Sequence, residues 1–559
     1  MRLRLIPLLA IALIIFSVSL ALLIGEIGFE GDDWWQFSWP YWYPFPQSIW
    51  EYAKESRRPI EGIYTVLAFE SFGLNRIFYT LTALLLSAGS CLLLASCLKR
   101  AYPKRSSLAV LSAFFAFFLT PISNLIYMFH TDNSRLSMLF FWSSVFAFQR
   151  WARSSCSWPG LLPPTMLYLL GAFTYENTTF LIFCIPLLVW PVYAQDRKAL
   201  SNRDFVVRLL GGIFGAFTVF VLVRFAVFSG GAVKQSSLIP PLHLTWSYLA
   251  NLVFYTVYPL YDIPWDLWSW LLGALVGLVL AALLFYSSKS DSFPNDQRVG
   301  CWDQSSIYVA SLGLLFLILG MLPYLMAGYN SSIGFTSQSR VYSSGAFGLA
   351  IFLGALASTP SNRKCRCMVQ IFAVVAISLM AVFLADLRKG WQEAATDRSR
   401  LCESLLKQAP AVAPHTTFLF LGLQSYISSH GVDRAVVFQG VDGLAEWVRM
   451  LYQNKKIYAY FLYPNDKLID DKKGRKASVS PEGVSARGSV VRGTIPLDTI
   501  LIIERHGDEL HVLEGLSQSD EIAAITWQGI SHIESNMNLI LPVSQSRTGV
   551  RSICGQPQR

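Results

Sequence analysis

Long apolar runs separated by short polar segments dominate the chain up to about residue 386. An α-helix rises about 1.5 Å per residue, so about 20 apolar residues are needed to cross the hydrocarbon core of a membrane. By this measure the pattern predicts an α-helical polytopic membrane protein. The predicted spans are, in order, 5–28, 77–98, 107–128, 136–149, 160–174, 178–195, 208–229, 266–288, 305–327, 341–358 and 368–386.

The charge of the polar segments predicts on which side of the membrane each one lies. Loops rich in lysine and arginine stay in the cytoplasm. The side that carries most of the basic residues, and with them the N-terminus, is therefore predicted to be cytoplasmic. The outer side then receives the loop 29–76 and all residues after 387. The basic clusters lie at 2–4, 99–105, 150–153, 197–203 and 363–366.

Two parts of this topology have an alternative. The runs 160–174 and 178–195 are short, and one kinked passage could replace both, although this would reverse the charge pattern of every later loop. The stretch 244–261 is apolar enough to be a twelfth span. We expect an interfacial helix there instead, because an additional span would place the basic 363–366 cluster outside.

Two predicted outer segments differ from the rest of the chain. The loop 29–76 holds five of the 17 tryptophans, and tryptophan favours the membrane interface, so interfacial helices are predicted in it. After an amphipathic helix at 387–409, the tail has strand-like runs, which predict a small α/β domain. We therefore predict a transmembrane domain at 1–388, including the loop, and an extracytoplasmic domain at 389–559. The strand-like runs are 416–421, 435–438, 457–463 and 499–504.

Composition supports the membrane assignment. The chain is 53% hydrophobic and 14% charged, whereas soluble domains carry about 25% charged residues. The net charge of +9 reflects the basic loops and does not indicate a nucleic-acid partner. The nine cysteines show no zinc-site spacing. Cys402 and Cys554 both lie in the tail, where they can form a disulfide if the tail is outside.

Asp32 and Asp33 stand just beyond the first span and precede Trp34 and Trp35. Carboxylates so close to hydrocarbon are costly unless they are hydrated, paired or functional. One interpretation is a solvated turn at the end of the helix. The other is a catalytic base, because an alcohol nucleophile needs a carboxylate to accept its proton. The pair also suits a divalent cation such as Mg²⁺ or Mn²⁺. Asp33 and Asp32 are therefore the catalytic candidates, and Asp33 is preferred because it lies further from the span.

Other polar residues interrupt the apolar pattern near the predicted outer face. Guanidinium groups bind phosphate oxygens bidentately, which makes Arg57 and Arg58 a candidate phosphate clamp. Glu176 and Arg224 stand at membrane depth, where a charged residue suggests function. Headgroup anchoring, helix capping and hydrated turns are the structural alternatives. The predicted substrate- or phosphate-binding residues are Arg57, Arg58, Asp132, Glu176, Arg224, Arg340 and Tyr342.

Together these features resemble bacterial members of the GT-C superfamily of integral-membrane glycosyltransferases. The resemblance covers about residues 1–390 and rests on four short motifs, the many spans and the outer tail. It implies transfer of a sugar from a polyprenyl-phosphate carrier to a glycan, lipid or protein acceptor at the outer face of the inner or plasma membrane. It also implies that an arginine stabilises the phosphate leaving group and that Asp33 or Asp32 is the base, with inversion. The motifs are Gly31-Asp32-Asp33-Trp34, Arg58-Pro59, Thr174-Tyr175-Glu176 and Ser339-Arg340-Val341-Tyr342.

Two functions of other classes also fit the sequence. A transporter or flippase for a lipid-linked or anionic solute would use Glu176 and Arg224 along its pathway, and it predicts broken helices. A non-catalytic subunit of a membrane assembly would use the tail for docking and would tolerate changes at Asp32 and Asp33. The expected partners are the lipid-linked donor, its acceptor and membrane lipid, without nucleic acid.

Overall fold

A computed structural model describes the greater part of the chain. The described residues are 5–24, 27–154, 156–195, 201–228, 242–262, 264, 266–288, 304–327, 335, 337–358, 363–423, 426–429, 432–437, 440–462, 477–481, 483–485, 494–517, 525–527 and 532–541.

Most of these residues are helical. The α-helices are α1 (Leu5–Ile24), α2 (Gly31–Trp42), α3 (Gln47–Ser56), α4 (Pro59–Phe72), α5 (Arg76–Ala101), α6 (Ser106–Phe118), α7 (Thr120–Ser123), α8 (Asp132–Arg153), α9 (Leu162–Thr174), α10 (Ile185–Gln195), α11 (Asn202–Phe228), α12 (Leu242–Tyr261), α13 (Leu267–Ser288), α14 (Gln304–Met326), α15 (Ser343–Ser358), α16 (Arg363–Gln408) and α17 (Gly440–Leu451). Tighter 3₁₀ segments are Asn124–Tyr127, Phe129–Thr131, Pro159–Leu161, Glu176–Cys184, Ser337–Tyr342, Leu497–Thr499 and Met537–Leu539.

The prediction of a mainly helical chain with several helices that could cross a membrane is confirmed. Within the described residues, eight helices are long and apolar enough to cross a membrane. Each of the eleven predicted runs coincides with a helix or with consecutive helical pieces. Three of them do not meet the length and composition needed for a span: α6 and α9 have 13 residues each, and α8 carries charged residues at both ends.

Two compact units make up the chain. Unit 1 contains Met1–Gly25, Ile49–Ala68 and Ile77–Arg388. Unit 2 contains Glu26–Ser48, Phe69–Arg76 and Lys389–Arg559. The first half of the loop 29–76 thus belongs to the same compact unit as the tail.

Close helix packing in unit 1 depends on small residues. All 13 residues of α6 are buried, as expected for a helix that is apolar on every side. Helices α14 and α15 approach each other through glycines. A Cβ at Gly348 would lie 2.3 Å from the backbone nitrogen of Leu317 and 2.5 Å from the carbonyl oxygen of Gly313. Such small-residue contacts let helix backbones approach closely within a membrane protein.

Unit 2 combines short β-sheets with α2 and α17. Its largest described sheet has the strand order β4-β1-β8-β9, with β1 parallel to β4 and β8, and β9 antiparallel to β8. The strands are β1 (Thr417–Leu421), β2 (Tyr426–Ser429), β3 (Val432–Val436), β4 (Tyr458–Leu462), β5 (Ala477–Ser480), β6 (Gly483–Ser485), β7 (Thr494–Ile495), β8 (Ile500–His506), β9 (Glu509–Leu513), β10 (Gly515–Ser517), β11 (Ile525–Trp527) and β12 (His532–Glu534).

The sheet explains why the strand prediction worked where it did. The predicted runs 416–421, 457–463 and 499–504 match β1, β4 and β8, whose apolar side chains form the core of unit 2. The run 435–438 only overlaps β3, which is part of a separate two-stranded sheet with a register shift. Helix α2 packs on α17, and the Trp42 indole donates to Glu446 at 3.4 Å.

Replacing Gly348 with alanine should destabilise unit 1. The added methyl group would overlap backbone atoms of α14, so the helices must separate, at a cost of about 1–3 kcal/mol. The measurement is the thermal unfolding midpoint in detergent. Gly215→Ala in α11 is the matched control, because a Cβ there meets nothing within 4 Å, and alanine should be neutral or stabilising. Equal midpoints for the two variants would contradict the close approach.

Candidate functional site

Polar turns interrupt the apolar helices of unit 1 where the sequence analysis placed its candidates. Helix α3 ends at Arg57, which adopts a left-handed backbone with φ of 60°, and Pro59 opens α4 at a position that suits proline. Helix α9 ends at Tyr175 in an extended conformation, and the chain then forms a nine-residue 3₁₀ segment from Glu176. Runs of 3₁₀ helix longer than three or four residues are uncommon, and such a segment often marks a functional hinge.

The Glu176 carboxylate lies between two guanidinium groups. Its Oε2 accepts from Arg58 Nε at 3.0 Å and pairs with Arg58 Nη2 at 2.9 Å. Its Oε1 pairs with Arg224 Nη2 at 2.5 Å. Arg224 Nη1 also donates to the carbonyl oxygen of Arg57 at 2.7 Å. We call the side chains of Arg58, Glu176 and Arg224 the arginine–glutamate cluster.

The arginine–glutamate cluster is accessible from outside unit 1. The exposed fractions of its side chains are 29% for Arg58, 27% for Glu176 and 31% for Arg224. The Arg58 guanidinium also lies 4.4 Å from the centre of the Tyr175 ring, a cation–π contact that fixes its plane. The cluster therefore presents two oriented, partly exposed guanidinium groups to a ligand.

Glu61 belongs to this site, although it was not among the predicted site residues. It is 2% exposed, and its Oε2 pairs with Arg58 Nη1 at 3.3 Å. Its Oε1 accepts from the Tyr52 hydroxyl at 2.8 Å and from Asn133 Nδ2 at 2.7 Å. The spacing of Arg58 and Glu61, three residues apart in the first turn of α4, is the signal that could have identified it.

Hydrogen bonds carry the network from Glu61 to the turn before α15. Asn133 is followed by Ser134, whose hydroxyl accepts from Asn177 Nδ2 at 2.7 Å and lies 2.7 Å from the Ser343 hydroxyl. Ser343 in turn donates to the carbonyl oxygen of Arg340 at 2.7 Å. Four segments that lie far apart in the sequence, around Arg58, Asn133, Glu176 and Arg340, therefore meet in one polar network.

Asp132 has a different role from the cluster residues. Its carboxylate pairs with Arg135 Nη1 at 2.5 Å and accepts from the Tyr64 hydroxyl at 2.9 Å. Asp132 and Arg135 are both almost fully buried. This ion pair holds the first turn of α8, next to Asn133, and so positions the network without facing a ligand.

Arg340 and Tyr342 lie at the far end of the network. Arg340 is half-buried, and its carbonyl oxygen accepts from the Ser343 hydroxyl. Tyr342 is fully buried; its hydroxyl accepts from Asn251 Nδ2 at 3.1 Å, and its ring packs on Tyr248 and Tyr255. The structure thus places Tyr342 in an aromatic cluster with α12.

The charges of the site favour fixed protonation states. Burial alone would lower the pKa of Arg58, but the Glu176 and Glu61 carboxylates raise it well above its ordinary value. For Tyr52, burial and the Glu61 carboxylate both raise the pKa well above its ordinary value. Arg58 therefore stays a cation and Tyr52 a neutral donor.

Asp32 and Asp33 belong to unit 2, where they open helix α2. The Asp33 side chain is fully buried, accepts the Glu30 backbone N–H at 3.2 Å and pairs with Arg76 at 3.5 Å. Glu30 and Asp33 form a capping box around the first turn. Asp32 is half-buried.

Buried arginines surround this turn. Arg398 of α16 is 6% exposed and donates to the carbonyl oxygens of Ile27 at 3.1 Å and Val437 at 3.2 Å. Arg76 is 4% exposed as a side chain. Two acids, Glu30 and Asp33, therefore accompany two arginines in the interior of unit 2, as buried charges require. The geometry of Asp33 is that of a residue that holds the start of α2.

The variant Asp33→Asn should destabilise unit 2 strongly. Removing one partner of a buried ion pair leaves the other uncompensated, here Arg76, at a cost of about 3–5 kcal/mol. Asp32→Asn is the matched control and should change stability by less than about 1 kcal/mol. Thermal and denaturant unfolding of the purified protein measure both. A larger loss for Asp32→Asn than for Asp33→Asn would reverse this assignment.

Comparison with protein-family models and with curated proteins finds no match to this sequence. The arginine–glutamate cluster and the first turn of α2 are therefore the features on which a function can be based.

Proposed function

We propose that this protein is a membrane glycosyltransferase that moves a sugar from a polyprenyl-phosphate carrier to an acceptor at the outer face of the membrane. The observation that carries the proposal is the arginine–glutamate cluster. Two guanidinium groups, Arg58 and Arg224, are held by one carboxylate, and all three side chains remain partly exposed. Guanidinium groups with fixed orientation are suited to bind a phosphate and to stabilise it as a leaving group.

The proposed step is a single displacement at the anomeric carbon of the sugar. The acceptor hydroxyl oxygen forms a bond to this carbon while the bond from the carbon to the carrier phosphate oxygen breaks. The bonding electron pair leaves with the polyprenyl phosphate, whose added negative charge Arg58 and Arg224 stabilise. The hydroxyl proton passes to a carboxylate base, the role that the resemblance to GT-C glycosyltransferases gives to Asp33 or Asp32. An in-line displacement of this kind inverts the anomeric configuration.

Exposure makes Asp32 the better candidate for the base. A general base must reach the hydroxyl proton at hydrogen-bond distance. Asp33 is fully buried and paired with Arg76, whereas Asp32 is half-buried. We therefore assign proton transfer to Asp32 and the positioning of α2 to Asp33. This reverses the slight preference for Asp33 at the sequence level.

A divalent cation is compatible with this arrangement. Mg²⁺ and Mn²⁺ prefer oxygen ligands, and Mg²⁺ keeps several waters while one or two carboxylates bind it. The half-buried Asp32 carboxylate offers such an oxygen ligand. When bound there, the cation would supply charge neutralisation.

The proposed topology has eleven spans, a cytoplasmic N-terminus and an extracytoplasmic tail in an inner or plasma membrane. Eight of the eleven predicted runs coincide with described helices that are long and apolar enough to cross a membrane, which supports a chain with many spans. Cys402 is disulfide-bonded, and structural disulfides persist in oxidising compartments, which supports a tail outside the cytoplasm. The expected partner, Cys554, lies outside the described residues.

Binding of the carrier lipid should depend on the two arginines. The probe is a short polyprenyl phosphate, compared with the corresponding polyprenol, titrated into the detergent-solubilised protein. Arg58→Gln and Arg224→Gln should each weaken binding of the phosphate by roughly 10- to 150-fold, because a hydrogen bond to a charged group contributes about 1.5–3 kcal/mol.

Arg208→Gln is the matched control for this experiment. Arg208 is a half-buried arginine of α11 that donates to the carbonyl oxygen of Cys156 at 2.9 Å, and its removal should leave the affinity unchanged. Equal binding of the phosphate and the alcohol, or equal losses in all three variants, would overturn the phosphate assignment.

Transport of a lipid-linked or anionic solute is the second candidate. The observation that favours it is the broken helix at Glu176, where α9 ends and a 3₁₀ segment begins, since transporters bind their solutes at interrupted helices. Unlike catalysis, transport does not require a base at Asp32.

The variant Asp32→Asn separates the two functions. In the transferase, it should lower sugar transfer from a panel of labelled polyprenyl-phosphoryl sugars by about 10²–10⁴-fold without loss of stability. In a transporter, proteoliposomes should instead move the labelled lipid across the bilayer without forming product, in wild type and variant alike. Absence of both activities would support a non-catalytic subunit and overturn the proposal.

A further inference from the structure

The β8–β9 hairpin of unit 2 brings two histidines and two glutamates to one face. The register pairs Glu504 with His511 and His506 with Glu509. Because side chains alternate between the two faces of a strand, residues 504, 506, 509 and 511 all lie on the same side. Gly507 begins the two-residue loop with φ of 62°, a conformation that favours glycine and closes the hairpin tightly.

The opposite face of the hairpin is anchored. Arg505 makes a bidentate pair with Asp397, with nitrogen–oxygen distances of 2.9 and 2.7 Å. Leu510 is 1% exposed, and its backbone N–H donates to the Ser404 hydroxyl at 2.7 Å. The hairpin is therefore held against α16 through residues that leave the His–Glu face open. Sites on such rigid elements are more precise than sites on loops.

The four side chains of the open face are close to one another. His506 Nε2 lies 2.6 Å from Glu504 Oε2, and His511 Nε2 lies 3.8 Å from Glu509 Oε2. The centres of the two imidazole rings are 5.3 Å apart. In a tetrahedral zinc site with bonds of about 2.0–2.1 Å, two ligand atoms are separated by about 3.3 Å. Rotation of these side chains is needed to bring the Glu504–His506 pair and the Glu509–His511 pair onto one ion.

We propose that the face formed by Glu504, His506, Glu509 and His511 binds a divalent transition-metal ion of the Zn²⁺ type. Neutral imidazole and carboxylate are both zinc ligands, and imidazole selects zinc, copper or nickel over magnesium and calcium. The two carboxylates neutralise the two positive charges of the ion. Asp508, the other acid of the hairpin, pairs with Arg400 at 2.8 Å and takes no part.

This site is independent of the proposed glycosyltransferase activity. Its ligands come from one hairpin, and none of them belongs to the arginine–glutamate cluster or to the first turn of α2. A bound ion would join β8 to β9 through side chains and so stabilise the folded state of unit 2 by mass action.

The test is a zinc titration of the full-length protein, purified in detergent with an affinity tag that contains no histidine. We expect one equivalent of Zn²⁺ per chain to bind at micromolar concentration or below, and the unfolding midpoint to rise with Zn²⁺ but not with Mg²⁺. Cobalt, used as a spectroscopic replacement, should show the visible absorption of a tetrahedral complex. The double variant His506→Asn/His511→Asn should no longer bind this equivalent of zinc. Loss of a residue that only supports a metal ligand lowers metal affinity by roughly 10–100-fold, and loss of these two ligands should lower it further.

His415→Asn is the matched control. His415 is an exposed histidine of the same unit with φ of 71°, a conformation that asparagine tolerates. This variant should bind zinc as the wild type does. All variants should unfold at the same temperature without metal, because the exchanged side chains are exposed. Equal zinc binding by the double variant and the wild type, or no zinc binding by the wild type, would overturn the proposal.

Discussion

The cost of removing ionised groups from water governs this structure. In a chain with only 14% charged residues, a charge among packed helices is tolerated only when an opposite charge and hydrogen bonds compensate it. Asp132 with Arg135 in unit 1, and Asp33 with Arg76 in unit 2, follow this rule at almost complete burial. Each pair also holds the first turn of a helix, α8 for Asp132 and α2 for Asp33. The ion pairs therefore fix the position of the backbone as well as compensating the buried charges.

The arginine–glutamate cluster differs from these pairs in one respect that bears on function. Its side chains keep between 27% and 31% of their surface exposed, so desolvation is incomplete and a ligand can compete for the guanidinium groups. Glu61, at 2% exposure, supports the cluster from the interior together with Tyr52 and Asn133. In the proposed function, a phosphate replaces the Glu176 carboxylate as the partner of Arg58 and Arg224. The buried hydrogen bonds of Glu61 stay in place during this exchange.

Sequence reasoning succeeded where a signal is local and failed where it depends on packing. The apolar runs and the strand β1 follow from composition and periodicity. The proximity of Arg58, Glu176 and Arg224 was suggested only by their shared side of the membrane, and the contacts of Glu61 were not anticipated. The preference for Asp33 over Asp32 failed to anticipate burial, because two adjacent acids look alike in sequence while a helix start turns one inward and leaves the other half-exposed. The 435–438 run includes only the end of β3, which begins at Val432, and residue 438 lies outside the described residues.

The sequence by itself determined the membrane class, the positions of the apolar helices and the residue types available for chemistry, because hydrocarbon burial is read directly from runs of apolar residues. Tertiary structure alone decided that residues 26–48 belong with the tail in unit 2, and which carboxylate meets which arginine. The contact of Arg58 with Glu176 joins residues more than a hundred positions apart in the chain, and only packing brings such residues within hydrogen-bond distance.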